Sequence, residues 1–150
     1  AVNDEKLSSL VRAAQTMADG FMNSTLGQKA ISSSFIKTEY PVITTLEDKQ
    51  GRFIVSGQID LLFNDGDVIY IVDFKTDREE DSARYTGQLA IYKQAVEDIF
   101  GKPVECRLFY LRNGHEVNMT REINETNVEE RFRRIKEVPY ASLQRSFSLP

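Results

Sequence analysis

At 150 residues, with 41% hydrophobic and 28% charged side chains, the chain has the length and composition of one globular domain able to bury a core. No apolar run approaches the roughly 20 residues needed to cross a bilayer, and the polar stretch Ala1–Leu10 carries no signal-peptide pattern. A net charge of −4 argues against a free-standing nonspecific nucleic-acid binder, while the lone Cys106 excludes an internal disulfide or a cysteine-built metal cluster and fits a reducing cytoplasm.

Leu7, Leu10, Val11, Ala14 and Met17 recur at helical spacing over Asp4–Ala18, with Gly20 as the expected stop, and Phe21–Ala30 reads as a second, shorter helix. The pattern changes at Ser34. Phe35, Ile36, Tyr40, Val42 and Ile43 predict a strand in which Pro41 is tolerable at an edge or bulge. After a polar turn at Glu47–Gly51, strands are expected over Arg52–Phe63 and Val68–Phe74. The Asn64-Asp65-Gly66-Asp67 segment joins them, and Asp-Gly suits a type I′ hairpin turn. A helix is predicted from Ser82 to Phe100 on the stripe Tyr85, Leu89, Tyr92, Val96 and Ile99, ended by Gly101 and Pro103. Val104–Leu111 then reads as a strand, turned by Asn113-Gly114 into a short partner at His115–Met119. An amphipathic helix is expected over Asn124–Lys136, and an irregular tail over residues 139–150. This order describes a three-layer α/β (α+β) domain, residues 1–138, in which helices flank a central mixed β-sheet.

The chemistry concentrates between Gly57 and Tyr92. Ile69-Tyr70-Ile71-Val72 has the continuous apolar character of a strand covered on both faces, and it runs straight into Asp73-Phe74-Lys75. A carboxylate and an ammonium at such a strand end are costly unless they are paired or bind a metal. Strand alternation places Asp73 and Lys75 on one face and Phe74 on the other. With Asp65-Gly66 as the two-residue loop, Asn64 pairs with Asp67 and Asp60 falls opposite Ile71. Asp60 and Asp73 are then diagonal neighbours, roughly 7–8 Å apart at their bases. Two such carboxylates suit Mg²⁺ or Mn²⁺, which prefer oxygen ligands and retain waters. A metal held there activates water and stabilises charge on a phosphate, with Lys75 one step along the same face. Gln88 and Tyr92, spaced i,i+4, share one helical face.

Gly57-Gln58-Ile59-Asp60-Leu61, then Ile71-Val72-Asp73-Phe74-Lys75-Thr76-Asp77, then Tyr85-Thr86-Gly87-Gln88-Leu89 with Tyr92, resemble the successive motifs of RecB-like nucleases in the PD-(D/E)xK superfamily. The similarity is to the nuclease domain of AddA/RecB-type helicase–nucleases and extends from about Met17 to Val117. It implies a restriction-endonuclease-like core and metal-dependent DNA exonuclease activity. Asp60 and Asp73, with the Phe74 backbone carbonyl, would bind the metal; Lys75 would be catalytic, and Gln88 and Tyr92 would assist near the DNA. Glu39-Tyr40-Pro41-Val42 resembles the family's Glu-x-Pro segment, making Glu39 an accessory candidate. The same resemblance implies a helicase motor on the same polypeptide and a second protein of the helicase–nuclease complex. It also implies a cytoplasmic, nucleoid-associated setting and a role in double-strand-break repair. Members of this branch carry a metal-binding His on an upstream helix. His115, on a distal hairpin, does not match it, so the expectation is a fragment that lacks those first helices.

Blander readings compete at several positions. Tyr92 lies on its helix's apolar stripe, where a core role is as plausible as a functional one. Tyr85 reads as packing, His115 as a surface turn residue, and Cys106 as a small buried hydrophobe. The basic run Arg131–Lys136 reads as a solvated face beside Glu129, Glu130 and Glu137. Two rival functions stand beside the exonuclease: a catalytically impaired DNA-binding module on the same fold, and a restriction-type endonuclease that cuts specific sequences without ATP.

Overall fold

The run of branched and aromatic side chains over Val68–Phe74 forms a strand covered on both faces, and the rest of the fold is arranged around it. In the computed structural model, which describes residues 4–48, 51–125 and 146–148, α1 (Asp4–Met22) and α2 (Thr25–Ile31) precede β1 (Ile36–Asp48), β2 (Gly51–Asp65) and β3 (Val68–Lys75). A 3₁₀ turn at Ser82–Tyr85 leads into α3 (Thr86–Phe100), followed by β4 (Val104–Tyr110), β5 (His115–Asn118), α4 (Thr120–Asn124) and β6 (Ser146–Ser148). The strands form a mixed sheet in the order β1-β2-β3-β4-β5, with β6 paired to β2. Among the described residues, only β3–β4 and β2–β6 pair in parallel. Since a parallel pair needs a crossover, α3 carries the chain between β3 and β4. The expected α/β layering around a mixed sheet is the one observed.

The core lies on both sides of β3 and β4. On one side Leu62, Ile71, Leu89, Ile91, Val96, Cys106 and Leu108 pack between the sheet and α3. On the other, Leu61, Phe63, Tyr70, Val72 and Phe109 pack against Phe21, Leu26 and Ala30 of the α1–α2 corner. Cys106 is buried on the α3 side as the small hydrophobe its spacing predicted.

Several local readings are corrected. Helix α1 continues through Gly20 to Met22, and its only buried side chain is Phe21; Leu7, Leu10 and Val11 are exposed. The β2–β3 turn is Gly66-Asp67, with Asp65 paired to Val68, so the hairpin is shifted one residue from the predicted Asp65-Gly66 loop. Gly66 has φ +63 while Asp67 does not enter positive φ, the pattern of a type II′ turn with glycine first. The tail predicted to be irregular contains β6, which runs parallel to Ile54–Ser56 of β2. The β2–β3 ladder stops at Leu61 and Val72, leaving that side of β2 with backbone groups that need partners, and β6 supplies them. The helix expected from Asn124 is preceded by α4 at Thr120–Asn124, where Ile123 is buried; residues 126–145, including the basic run Arg131–Lys136, lie outside the described residues.

The α1–α2 corner is tightly tied. Ser24 caps α2 by accepting from the Gly27 amide at 3.0 Å, and its own hydroxyl donates to the Phe21 carbonyl at 2.6 Å. Gly27 lies so close to α1 that a Cβ there would sit 2.0 Å from the Phe21 carbonyl oxygen. The corner drives Phe21 edge-on against Phe74 and Phe109, with centroids 4.8 and 5.0 Å apart. Gly27→Ala is therefore expected to destabilise the fold by about 1–3 kcal/mol in urea unfolding. Gly20→Ala, where an added Cβ meets nothing within 4 Å, should be neutral or slightly stabilising in the same assay.

Candidate active site

Residues Asp60, Asp73 and Lys75 come together where β3 parts from β2. Ile69 and Ile71 face the α3 side of the sheet and Tyr70 and Val72 the other, so alternation carries Asp73 and Lys75 onto the α3 side and Phe74 onto the α1–α2 side. Phe74 does pack there, against Phe21 and Phe109, which locks the strand end from behind. Asp73 is 5% exposed, and its Oδ2 lies 2.8 Å from Lys75 Nζ.

The shifted turn changes how Asp60 approaches. The ladder ends at Leu61–Val72, and its register continued by one step would set Asp60 across from Asp73, not diagonal to it. Moving a two-residue loop by one position shifts each partner by two, and a shift of two preserves the face. That is why Asp60 still meets Asp73 despite the wrong predicted register. Its carboxylate accepts the Phe74 amide at 2.8 Å, replacing a ladder hydrogen bond where the two strands separate.

A break in the sheet sits at this point. Between the pairs Thr38–Leu61 and Tyr40–Ile59, Glu39 and Asp60 face each other without pairing. Glu39 has φ 51, the one positive value outside glycine among the described residues. On β2, Leu62 and Ile59 are three positions apart and yet both face α3, so strand alternation slips by one between them. The accessory candidate Glu39 therefore stands at this break, exposed and opposite Asp60.

Tyr92 and Gln88 reach the same region from α3, and both are buried. The Tyr92 hydroxyl accepts the Gln58 amide at 3.1 Å and a weaker bond from Gln88 Nε2 at 3.4 Å. Gln58 Nε2 in turn donates to the Glu39 carbonyl at 3.2 Å. Tyr92 thus belongs to the core, and its hydroxyl also holds the strand two residues before Asp60. Burial raises its pKa and keeps the hydroxyl protonated.

Sequence reasoning missed the segment after β3. Tyr85 packs against the core as its spacing suggested, but its ring also lies 3.9 Å from Lys75 Nζ and its hydroxyl donates to Asp77 Oδ2. His115 pairs with Glu80 at 2.5 Å, and Asn113 donates to the same carboxylate at 2.7 Å. Contacts across 33 and 35 residues leave no local periodicity to read.

Burial dominates the electrostatics. It pushes the Asp73 carboxyl up to about 6, against the opposing pull of Lys75 and with further upward pressure from Asp60. Although Lys75 is near, Asp73 Oδ2 receives no well-aligned hydrogen bond and is closed to solvent. A strand residue's N–H and C=O leave on the same side, so the Phe74 carbonyl faces the Asp60 side as well. This donor set consists of hard oxygens and fits a small divalent cation that keeps water or phosphate oxygens in its remaining positions. Among the described residues, no group of three or more His, Cys, Asp or Glu side chains converges as a metal cluster.

Comparison with known proteins agrees with this architecture. The sequence is 32% identical over 113 residues to an ATP-dependent helicase/nuclease polypeptide of Desulforamulus reducens, a match covering 65% of this chain and 9% of that protein. Against the polypeptide of the same name from Carboxydothermus hydrogenoformans it is 37% identical over 105 residues, covering 59% and 9% respectively. The chain thus spans about a tenth of the length of these relatives. In fold it is similar to the crystal structure of SSO0001, with a TM-score of 0.54 at 12% identity, covering 91% of this chain and 62% of that one. The pattern describing the PD-(D/E)XK nuclease superfamily matches residues 3–147, and with the acidic pair and lysine at the parting of β2 and β3 in place, the chain belongs to that superfamily.

Proposed function

We propose that this domain is a divalent-metal-dependent deoxyribonuclease that hydrolyses phosphodiesters as the exonuclease module of a helicase–nuclease in double-strand-break processing. The observation that carries the reading is the buried Asp73 carboxylate, flanked by Asp60 and Lys75 at the end of β3. Asp60 and Asp73, with the Phe74 carbonyl, would hold Mg²⁺ or Mn²⁺. The ion would supply a water of lowered pKa and stabilise charge on the phosphate. Lys75 would orient that water or the phosphate oxygen, while Gln88 and Tyr92 set the strand positions around them. The helicase/nuclease names of the relatives support a helicase on the same polypeptide, and with that reading go a second protein in the complex and a cytoplasmic, nucleoid-associated setting. DNA delivered by a motor also accounts for an acidic domain with a net charge of −4 serving a polyanionic substrate. Among the described residues, no helix is long and apolar enough to cross a membrane.

One observation favours the rival DNA-binding module: no third acidic or histidine ligand joins Asp60 and Asp73 among the described residues. Cleavage separates the two readings. Mg²⁺-dependent degradation of linear DNA should be abolished by EDTA and reduced roughly a hundredfold or more by Asp73→Ala and by Lys75→Ala. Undiminished cleavage in both variants ends the nuclease reading of these residues. Binding without cleavage in the parent protein establishes the rival.

A second expectation concerns the metal-free fold. The Asp73 carboxyl is raised from 3.8 to about 6 on folding, so between about pH 4 and pH 6 the folded state holds more protons than the unfolded chain. Stability from this group is therefore present at low pH and lost as pH rises through that window, by up to about 3 kcal/mol. In EDTA, the melting temperature of Asp73→Asn minus that of the parent should rise across the window; a flat difference contradicts the buried, raised carboxyl. Mg²⁺ should stabilise the parent more at neutral pH than near pH 4, since it binds the ionised form.

A further inference from the structure

Lys75 is held from two sides. Its ammonium lies 2.8 Å from Asp73 Oδ2 and 3.9 Å from the centroid of the Tyr85 ring, and its side chain is only 16% exposed. A lysine is ordinarily a flexible stem with a strongly hydrated head, so two fixed contacts on that head are a specific arrangement. We propose that Tyr85 is a positioning residue for Lys75, its ring face fixing the ammonium beside Asp73. This inference rests on the nuclease reading for its consequence in catalysis, but the arrangement itself is testable without it.

The ring can serve this purpose because it is itself anchored. The Tyr85 hydroxyl donates to Asp77, two residues beyond Lys75. Burial, then Asp77, raises its pKa to about 12, so it remains a donor. The segment between Lys75 and Tyr85 is strapped to the β4–β5 end of the sheet at three further points. Arg112 donates to the Thr76 carbonyl, Asn113 donates to Glu80 at 2.7 Å, and Ser82 Oγ and Tyr110 Oη lie 3.0 Å apart. Arg84 also approaches the ring, at 5.3 Å, but from an exposed position.

The chemistry of the head group gives this a use. An ammonium has three donors, and a cation is attracted to the negative face of an aromatic ring. With one side of the head facing Asp73 and another facing the ring, its N–H donors are restricted to the space those two neighbours leave. A water or phosphate oxygen arriving there would meet a donor already aimed, instead of one that must first be ordered.

Two variants test this. Tyr85→Leu removes the ring and Tyr85→Phe keeps it while losing the bond to Asp77. In protein labelled with ¹³C at the lysine ε-carbon, the Lys75 resonance, assigned by its loss in Lys75→Arg, should be shifted upfield by the ring in the parent and in Tyr85→Phe. It should return to the ordinary lysine position in Tyr85→Leu. In cleavage assays Tyr85→Leu should lower kcat by roughly ten- to a hundredfold with little change in KM, and Tyr85→Phe should restore most of that loss. An unshifted Lys75 resonance in the parent overturns the proposal. So does an equal loss of kcat in both variants, which would assign the effect to the Asp77 bond. If the parent does not cleave DNA, the nuclease reading falls, and the Lys75 resonance alone decides the role of Tyr85.

Discussion

A carboxylate buried at the end of a strand that is packed on both faces is the constraint to which the other features of this domain answer. Taking Asp73 out of water disfavours its charge strongly enough to outweigh Lys75 beside it, and Asp60 worsens the balance. A hydrophobic side chain in its place would continue the run Ile69–Val72 and remove the desolvation cost. The strand end that carries it is locked from behind through Phe74 against Phe21 and Phe109.

The second device is the break between β1 and β2. A two-residue hairpin with uninterrupted ladders would leave Asp60 inside the β2–β3 ladder. Instead the strands separate after Leu61 and Val72, and the Asp60 carboxylate takes the Phe74 amide that the ladder no longer serves. Opposite it, Glu39 adopts a left-handed backbone, a conformation costing about 1–3 kcal/mol for a residue other than glycine. Tyr92 and Gln58 brace this step: the Tyr92 hydroxyl holds the Gln58 amide, and the Gln58 side chain holds the Glu39 carbonyl. A helix residue, a strand residue and a strained backbone thus fix where Asp60 stands. Strain of this kind persists where the surroundings over-determine it.

The third is the return segment after β3. The exposed Glu80 carboxyl is held below the usual range by Asn113 and His115, so this strap is a solvated electrostatic and hydrogen-bonded contact that contributes geometry more than stability. Together with Arg112 it ties the polar stretch after Lys75 to the far hairpin, and Tyr85 is thereby brought back over the strand from which the chain has just departed.

The order of the hairpins, the crossover helix and the shared face of Asp73 and Lys75 were all legible in the chain before any coordinates. Those features follow from period-2 and period-3.6 patterning and from glycine-bearing turns, which act over a few residues. The meeting of Asp60 with Asp73 was legible too, because face depends only on parity, and the true turn at Gly66-Asp67 preserves the parity of the predicted one. The register itself was not, since Asp65-Gly66 and Gly66-Asp67 are both acceptable turns, and pairing along the whole ladder chooses between them. The slip at Glu39, the Tyr92–Gln58 bond and the placement of Tyr85 over Lys75 came from the assembled fold alone. Each joins residues on separate elements through a single hydrogen bond or ring contact, and such contacts leave no periodic trace in the chain. The same holds for β6, whose three residues form a strand where they pair with the backbone of Ile54–Ser56 on β2.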